Sequence, residues 1–542
     1  MDMEISSEPM HGSTTIVIHP GSLNLHIGRS VDACPHSIRH VIARRAKTPI
    51  SNHSHEILVP TPKMTQETEK IVESAKISIK DVLKTCLTST GRRRFATDPF
   101  ELAKANKQTK PVIISEETSW TNVGQPKNFF IGKEALHVKS DANFFFHWPI
   151  KRGQLNLHDG IGGSLTSVLT DIKDIWSTAI NELLEIPLKD LKHYRCVLVI
   201  PDIYSRQHVK ELVNLILEQL GFSACFVQQE SVCATFGAGL SYACVVDVGD
   251  QKTSVSCVED GISNLNSRLY MNYGGSDITH VLHMLINECG FPYTKCNPDK
   301  IPMDALLLHS FKEKNCGINL DLCGPQLQNF QVSRESGFIE QYTMHVADEL
   351  HIAPLSYFQP EILFCTGKKI TRSFLWGRKP VPEDSQDDEY LLQTQRRGAC
   401  KENVDTNNQN ADNISSQLED SQNVLEDDPI IDPIDPSPTP TANLKEKGME
   451  EGICILIVGG GMMFVGTDTY LQNRLIMQIP LMHRSEHIDI ITRPKEMDPR
   501  FTVWKGATVT SLLDSAQELW IKQKEWRQYN AKLLREKAPF LW

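Results

Sequence analysis

Ile16-Val17-Ile18-His19-Pro20-Gly21-Ser22 and, far later in the chain, Val245-Val246-Asp247-Val248-Gly249-Asp250 read as one device used twice. Each is a run of β-branched residues broken by a tight glycine-bearing turn and followed by a second alternating run, the pattern of a buried strand folding back on itself. Without a Cβ, Gly21 and Gly249 let the turn backbone take conformations and close approaches that a side chain would block, so its N–H groups can point at anionic oxygens. Asp247 and Asp250 add carboxylates suited to a hydrated Mg²⁺. A third apolar run, Ile453-Cys454-Ile455-Leu456-Ile457-Val458, ends in Gly459-Gly460-Gly461. One such turn is common in proteins that bind no nucleotide. Three in one chain predict a polyphosphate clamp.

A length of 542 residues accommodates two or more hydrophobic cores, because a single core stops growing at about 250–300 residues. Hydrophobic content of 40% is ordinary for a globular protein, and no apolar run approaches the roughly 20 residues of a membrane helix, so no membrane partner is expected. Met1-Asp2-Met3-Glu4 lacks the basic and apolar regions of a secretory signal. The 14 cysteines are scattered through apparent core segments with no C-x-x-C pair, which predicts a reducing compartment and neither a disulfide framework nor a zinc site.

The formal net charge of −11 is local in origin. Residues 381–450 hold 17 Asp and Glu against 5 Lys and Arg, and the rest of the chain is close to neutral. Residues 29–110 lean the other way, with 16 Lys and Arg against 8 Asp and Glu and clusters at Arg44-Arg45 and Arg92-Arg93-Arg94. A basic stretch favours nucleic-acid phosphates and an acidic one favours basic surfaces such as histones, although both also read as solvated loops.

Residues 15–42 predict a strand pair and a third strand at Val41-Ile42. Within the polar stretch 43–128, Ile71, Ala75, Ile79, Val82, Leu83 and Cys86 recur at helical spacing and predict one amphipathic helix docked on the first lobe. Leu165, Val168, Leu169, Ile172, Ile175, Trp176, Ala179 and Ile180 form the stripe of a core-facing helix. A strand at Arg195–Ile200 and a helix from Ser205, an N-cap type, to Gly221, a C′ type, continue a βα alternation that implies sheets covered by helices. From Arg378 to Glu451 the chain is rich in Asp, Asn, Gln, Ser and Pro and is predicted to be disordered. Leu512, Leu513, Leu519, Trp520, Ile521, Trp526 and Leu533 predict a C-terminal helix with a core-packing face.

Trp148-Pro149-Ile150 with Gly153, the helix around Trp176, the strand end Leu198-Val199-Ile200-Pro201, Gly274-Gly275-Ser276-Asp277 and Phe501-Thr502-Val503-Trp504-Lys505-Gly506 follow one another in an order that resembles actin. The three glycine turns are similar to the nucleotide clamp of the actin, sugar-kinase and heat-shock chaperone superfamily. His19-Pro20-Gly21-Ser22, His147-Trp148-Pro149-Ile150, Asp247-Val248-Gly249-Asp250-Gln251-Lys252-Thr253 and Ile491-Thr492-Arg493-Pro494-Lys495 resemble, in particular, nuclear actin-related subunits of INO-class chromatin-remodelling complexes. The resemblance implies an α/β, actin-like two-lobed fold with a central nucleotide cleft and long insertions. Its parts would be a short flexible N-terminus (1–14), a first lobe (15–245) with the basic insertion 43–128, a second lobe (246–377), an acidic disordered insertion (378–451), and the end of the second lobe with a C-terminal helix returning to the first (452–542). Between Phe358-Gln359-Pro360 and Gly459 the family's Gly-x-His segment and following helix are replaced by acidic linker.

The resemblance also implies ATP or ADP with Mg²⁺ as cofactors. Gly21, Ser22, Leu23, Asp247, Val248, Gly249 and Asp250 would line the phosphates, with Asp247 and Asp250 holding metal through water. Gly459, Gly460 and Gly461, with Gly275 and Asp277 opposite, would meet the adenosine. His19 replaces a metal-supporting Asp of actin and His26 a phosphate-contacting Lys, so two fixed charges are lost. Glu230 replaces the Gln that orients the attacking water; a carboxylate there either supplies a base or repels the nucleotide. Slow or absent turnover is expected, with nucleotide as a structural ligand. The expected partners are a remodelling motor subunit, actin, another actin-related protein, histones or nucleosomes, and linker DNA, in the nucleus, with Arg44, Arg45, Arg92, Arg93 and Arg94 as DNA candidates. A self-assembling actin-like ATPase and a sugar-kinase-type phosphotransferase are the rival readings.

Overall fold

Thr15–Pro20 packs apolar residues on both faces and therefore sits centrally, flanked by a parallel strand, Arg195–Ile200, and an antiparallel one, Asn24–Arg29. Parallel pairing covers only Thr15 to Ile18, so Pro20 lies beyond the region where that ladder needs its N–H. Ala224–Gln229 and Ile521–Lys522 extend this six-stranded sheet on one side and His36–Arg39 on the other. The computed structural model describes residues 12–46, 65–85, 97–115, 120–124, 127–139, 142–319, 321, 324–363, 371–373, 453–480 and 488–538.

The second lobe repeats the design. Tyr242–Val248 is antiparallel to its hairpin partner Thr253–Glu259 and parallel to Ile453–Val458, with Leu269–Met271, Thr371–Ser373 and Ile488–Ile491 outside them. Each lobe thus has a central strand that runs antiparallel to the next strand in sequence and parallel to a distant one. The helix Leu165–Leu183 buries Val168, Leu169, Ile172, Ile175, Trp176, Ala179 and Ile180 in the first lobe, and the Ser164 hydroxyl accepts the Ser167 N–H as its cap. Arg206–Asn214 follows Ser205, whose side chain makes no cap bond, and runs into a wider turn at Leu215–Gln219 before Gly221.

Two helices join the lobes. Glu230–Ala238 and Thr502–Ser511 cross back to back at glycines: a Cβ on Gly237 would stand 2.1 Å from the Thr502 carbonyl oxygen, and one on Gly506 1.6 Å from that of Cys233. Around them a shared core takes Val17, Val197 and Val199 from the first sheet and Val245, Leu456 and Val458 from the second. Trp504 is fully buried there and donates its indole N–H to the Val17 carbonyl.

Four expectations need correction. The amphipathic helix of the insertion, Gln66–Thr85, buries Val72, Ala75, Ile79 and Leu83 in the core of the second lobe, not the first. The same is true of Pro99–Asn106, while Val112–Ser115 adds an edge strand to Ile339–Val346. The apolar face of the helix was legible, but the surface it meets lies beyond the cleft. The C-terminal segment is not one helix: a 3₁₀ turn (Asp514–Leu519), the edge strand Ile521–Lys522 and two short helices (Gln523–Tyr529, Lys532–Lys537) wrap the first lobe, and Leu512 stays exposed. The third strand expected at Val41-Ile42 splits into His36–Arg39 of the main sheet and Ile42–Arg45 of a separate three-stranded sheet. The second lobe opens with Tyr242–Val248, so a boundary at 245/246 would cut a strand. Residues 1–11, Arg92-Arg93-Arg94 and the acidic stretch 378–451 lie outside the described residues.

Candidate functional site

Both bends close in the same way. Gly21 donates its N–H to the Asn24 carbonyl, and Gly249 donates its own to that of Lys252, each at 2.9 Å. In both the next two N–H groups, Ser22 and Leu23 in one and Asp250 and Gln251 in the other, meet no acceptor among the described residues. His40 braces the first bend from behind, its N–H bonded to the Leu23 carbonyl and its Nδ1 to that of Gly21, both at 2.9 Å. Complete burial pushes the His40 imidazole down to about 4, so the ring is neutral, and the Gly21 carbonyl, which can only accept, places its proton on Nδ1.

The second bend is held by its three carbonyls. Val248 O accepts from Gly461 N–H at 2.7 Å, Gly249 O from Gly275 N–H at 3.0 Å, and Asp250 O from Ser276 N–H at 2.7 Å. A side chain on Gly459 would strike Val248 O at 2.4 Å, and one on Gly461 would strike Gly249 O at 2.6 Å. Gly459 and Gly461 are therefore required by close approach of a third bend to the second, whereas a Cβ on Gly460 would only touch the Arg500 side chain, and the Tyr357 hydroxyl anchors the bend by donating to Gly461 O. Asp247, Val248, Gly249, Asp250, Gly275 and Gly459 to Gly461 form one cluster, and the Gly460 N–H has no acceptor among the described residues.

A chain of charges crosses from one bend to the other. His19 Nε2 lies 3.4 Å from Glu230 Oε1; the other oxygen of Glu230 accepts from the Lys252 ammonium, which also donates to Asp247 Oδ2 at 3.1 Å. The two bends therefore face the same cleft. Burial alone would disfavour ionised Glu230, but Lys252, aided by His19, holds its carboxyl down at about 2. Burial resists the ammonium too, and Asp247 and Glu230 together keep it charged. Asp247 is pushed up by burial against the pull of Lys252. Burial and the neighbouring His19 push His26 down to about 3, and its neutral ring packs edge-on against Phe501. His26 brings no cation to the first bend.

Asp250 differs from Asp247. Its two carboxylate oxygens are enclosed and meet no hydrogen-bond donor among the described residues, with His309 Nδ1 at 3.9 Å, and burial raises its carboxyl. An orphaned carboxylate beside unpaired backbone N–H groups fits a hydrated cation and an anion bound together. Lys312 stands behind it, its buried ammonium bonded to Gly275 O at 2.6 Å.

Asp277 does not fit the role expected of it. Both its oxygens take the Arg152 guanidinium, at 2.7 and 2.8 Å, and one also caps the Gly274 N–H. It is a joint between the lobes, since Arg152 comes from the first. Arg44, expected at a DNA surface, is likewise internal: it bridges Asp171, which is 1% exposed, and Asp174, and Asp171 also takes His147 Nδ1 at 2.6 Å. Arg45 lies over the Phe144 ring and donates to the Val123 carbonyl. Sequence reasoning gave no role to Lys252, Lys312 or Arg152. Lys252 had a local signal, a basic residue beside a phosphate-type bend; the other two are brought in by packing alone.

The chain matches the actin family model over residues 10–375. It is 40% identical to actin-related protein 8 of Aedes aegypti, with 99% of each chain covered, and 40% identical to human actin-related protein 8, with 97% of this chain and 92% of that one covered. The solved structure of human actin-related protein Arp8 in its ATP-bound state superposes with a TM-score of 0.81 at 40% identity, covering 99% of both chains.

Proposed function

This chain belongs to the actin family, on its actin-related protein 8 branch, and from that premise we propose that it is an ATP-binding subunit of a nuclear chromatin-remodelling complex that retains nucleotide and does not turn it over. The observation that carries this reading is the chain His19–Glu230–Lys252–Asp247. Glu230, at the position where the family has a water-orienting amide, is tied to a buried ammonium, so its carboxylate is neither a free base nor a water ligand. The first bend offers backbone N–H groups but no fixed charge. ATP or ADP across the cleft would join two lobes that already touch through Arg152–Asp277, stabilising the fold by binding linkage. Mg²⁺, when bound, neutralises phosphate charge; Asp250 and Asp247 are the residues that would hold its water shell. Regulation of transcription, DNA repair and recombination, through a motor subunit, actin, another actin-related protein, histones and linker DNA, belongs to the same proposal and rests on family membership.

The test is retention. Purified full-length protein loaded with labelled ATP and passed over a desalting column should keep intact ATP, and Asp247→Ala should lose it. Rapid appearance of ADP and phosphate in the wild type, or unchanged retention in Asp247→Ala, removes the reading. Affinity purification from nuclear extract, read by mass spectrometry, should recover the remodelling motor subunit.

A further inference from the structure

We infer that Lys252 is the resident counter-cation of the phosphate site, taking the place of an obligatory divalent metal, so that nucleotide binding here is metal-tolerant and not metal-dependent. The inference deepens the nucleotide-binding reading and rests on it.

The position is built for this side chain. Lys252 closes the second bend with its carbonyl, and its ammonium reaches Asp247 and Glu230 at 7% residual exposure. The stem passes Gly153, where any Cβ would stand 2.8 Å from Lys252 Cδ; Gly153 adopts a φ of 70° and leaves room that only a glycine leaves. An ammonium has three donors. Two are taken by carboxylates, and the third has no acceptor among the described residues.

Charge balance gives the reason. Asp247 and Glu230 contribute carboxylates and Lys252 one positive charge, while His26, kept neutral by burial, contributes none. A triphosphate placed against the N–H groups of Ser22, Leu23, Asp250 and Gln251 adds several negative charges in a site of low dielectric, where an uncompensated charge is costly. Elsewhere a hydrated divalent ion supplies the compensation. Here a covalently attached cation already engages Asp247, one of the two carboxylates that would hold such an ion's water shell, and ties it to Glu230.

The experiment measures ATP affinity of the full-length chain by calorimetry in Mg²⁺ and in EDTA. Wild type should lose less than about threefold on removing Mg²⁺, whereas Lys252→Met should lose about 30-fold in EDTA, the scale of one charge-assisted hydrogen bond, and recover in Mg²⁺. Because Lys252→Met strands two buried carboxylates, the double variant Lys252→Met with Glu230→Gln serves as the folded control and should bind only with Mg²⁺. Wild-type binding that vanishes in EDTA, or a double variant that still binds there, overturns the inference while leaving nucleotide binding standing. Absence of wild-type binding in both buffers overturns both.

Discussion

The side-chain amide of Asn106 pairs with both backbone groups of His345, donating to its carbonyl at 2.8 Å and accepting its N–H at 2.7 Å, as a neighbouring strand would. A further bond to the Cys289 carbonyl makes Asn106, 1% exposed, the pin by which a first-lobe insertion is fixed to the second lobe. Asn106→Ala leaves three backbone groups without partners and should lower stability by about 3 kcal/mol, at roughly 1 kcal/mol for each lost bond. It should also speed release of bound nucleotide, because the insertion belongs to the first lobe in sequence and packs on the second. Urea midpoints and a nucleotide-chase rate check the two effects; a chase rate unchanged in a destabilised variant would mean that the insertion does not gate the cleft.

Glycine bends were legible because their requirement is local: a turn that must avoid a Cβ shows as a glycine whatever surrounds it. Two such bends on separate β-branched runs predicted a polyphosphate clamp, and the two-lobed fold came with the resemblance to actin. What the insertion helix docks against was not legible, because Val72, Ala75, Ile79 and Leu83 state only that a face is apolar. Arg44 and Arg45 are limited by local geometry. They are neighbours in a strand, so their side chains leave opposite faces and cannot share one DNA surface. Asp277 is a related case: an acid at a helix start serves as a cap as readily as a ligand contact, and only the approach of Arg152 decides.

Gly506→Ala should be severe. A methyl 1.6 Å from the Cys233 carbonyl oxygen forces the two joining helices apart, and since both pack into the core shared by the two sheets the expected loss is about 3 kcal/mol or more. Gly221→Ala is the matched control. There φ is 83° but nothing lies within 4 Å, so only backbone strain of about 1 kcal/mol is expected. Thermal denaturation of the two variants separates crowding from conformational strain, and equal shifts would contradict the close crossing.

Acid sensitivity should have a contribution from His40. Its folded pKa is about 4 against an ordinary 6.5, so the folded state resists a proton that the unfolded chain accepts. Stability is therefore full above pH ~6.5 and falls as pH drops toward ~4, with a loss of about 2 kcal/mol by pH 5. Denaturant titrations at pH 7 and pH 5 should show this difference in wild type and a smaller one in His40→Gln. An identical pH dependence in the variant would assign the acid sensitivity to other groups.

Arg44→Ala distinguishes an internal ion pair from a nucleic-acid contact. Asp171 is held between Arg44 and His147 and shielded from water, so removing the guanidinium leaves a buried carboxylate with a single partner, at a cost of about 3 kcal/mol. Arg44→Lys should recover only part of this, because one ammonium cannot reproduce the geometry in which Nε faces Asp171 and a terminal nitrogen faces Asp174 at 2.7 Å. A DNA contact would behave differently: the variant would keep its melting temperature, lose affinity for any duplex sequence, and show a shallower dependence of binding on salt. Melting and salt-titrated DNA binding, measured on the same preparation, therefore give opposite results for the two roles, and the buried pairing of Arg44 with Asp171 requires that melting be the one to change.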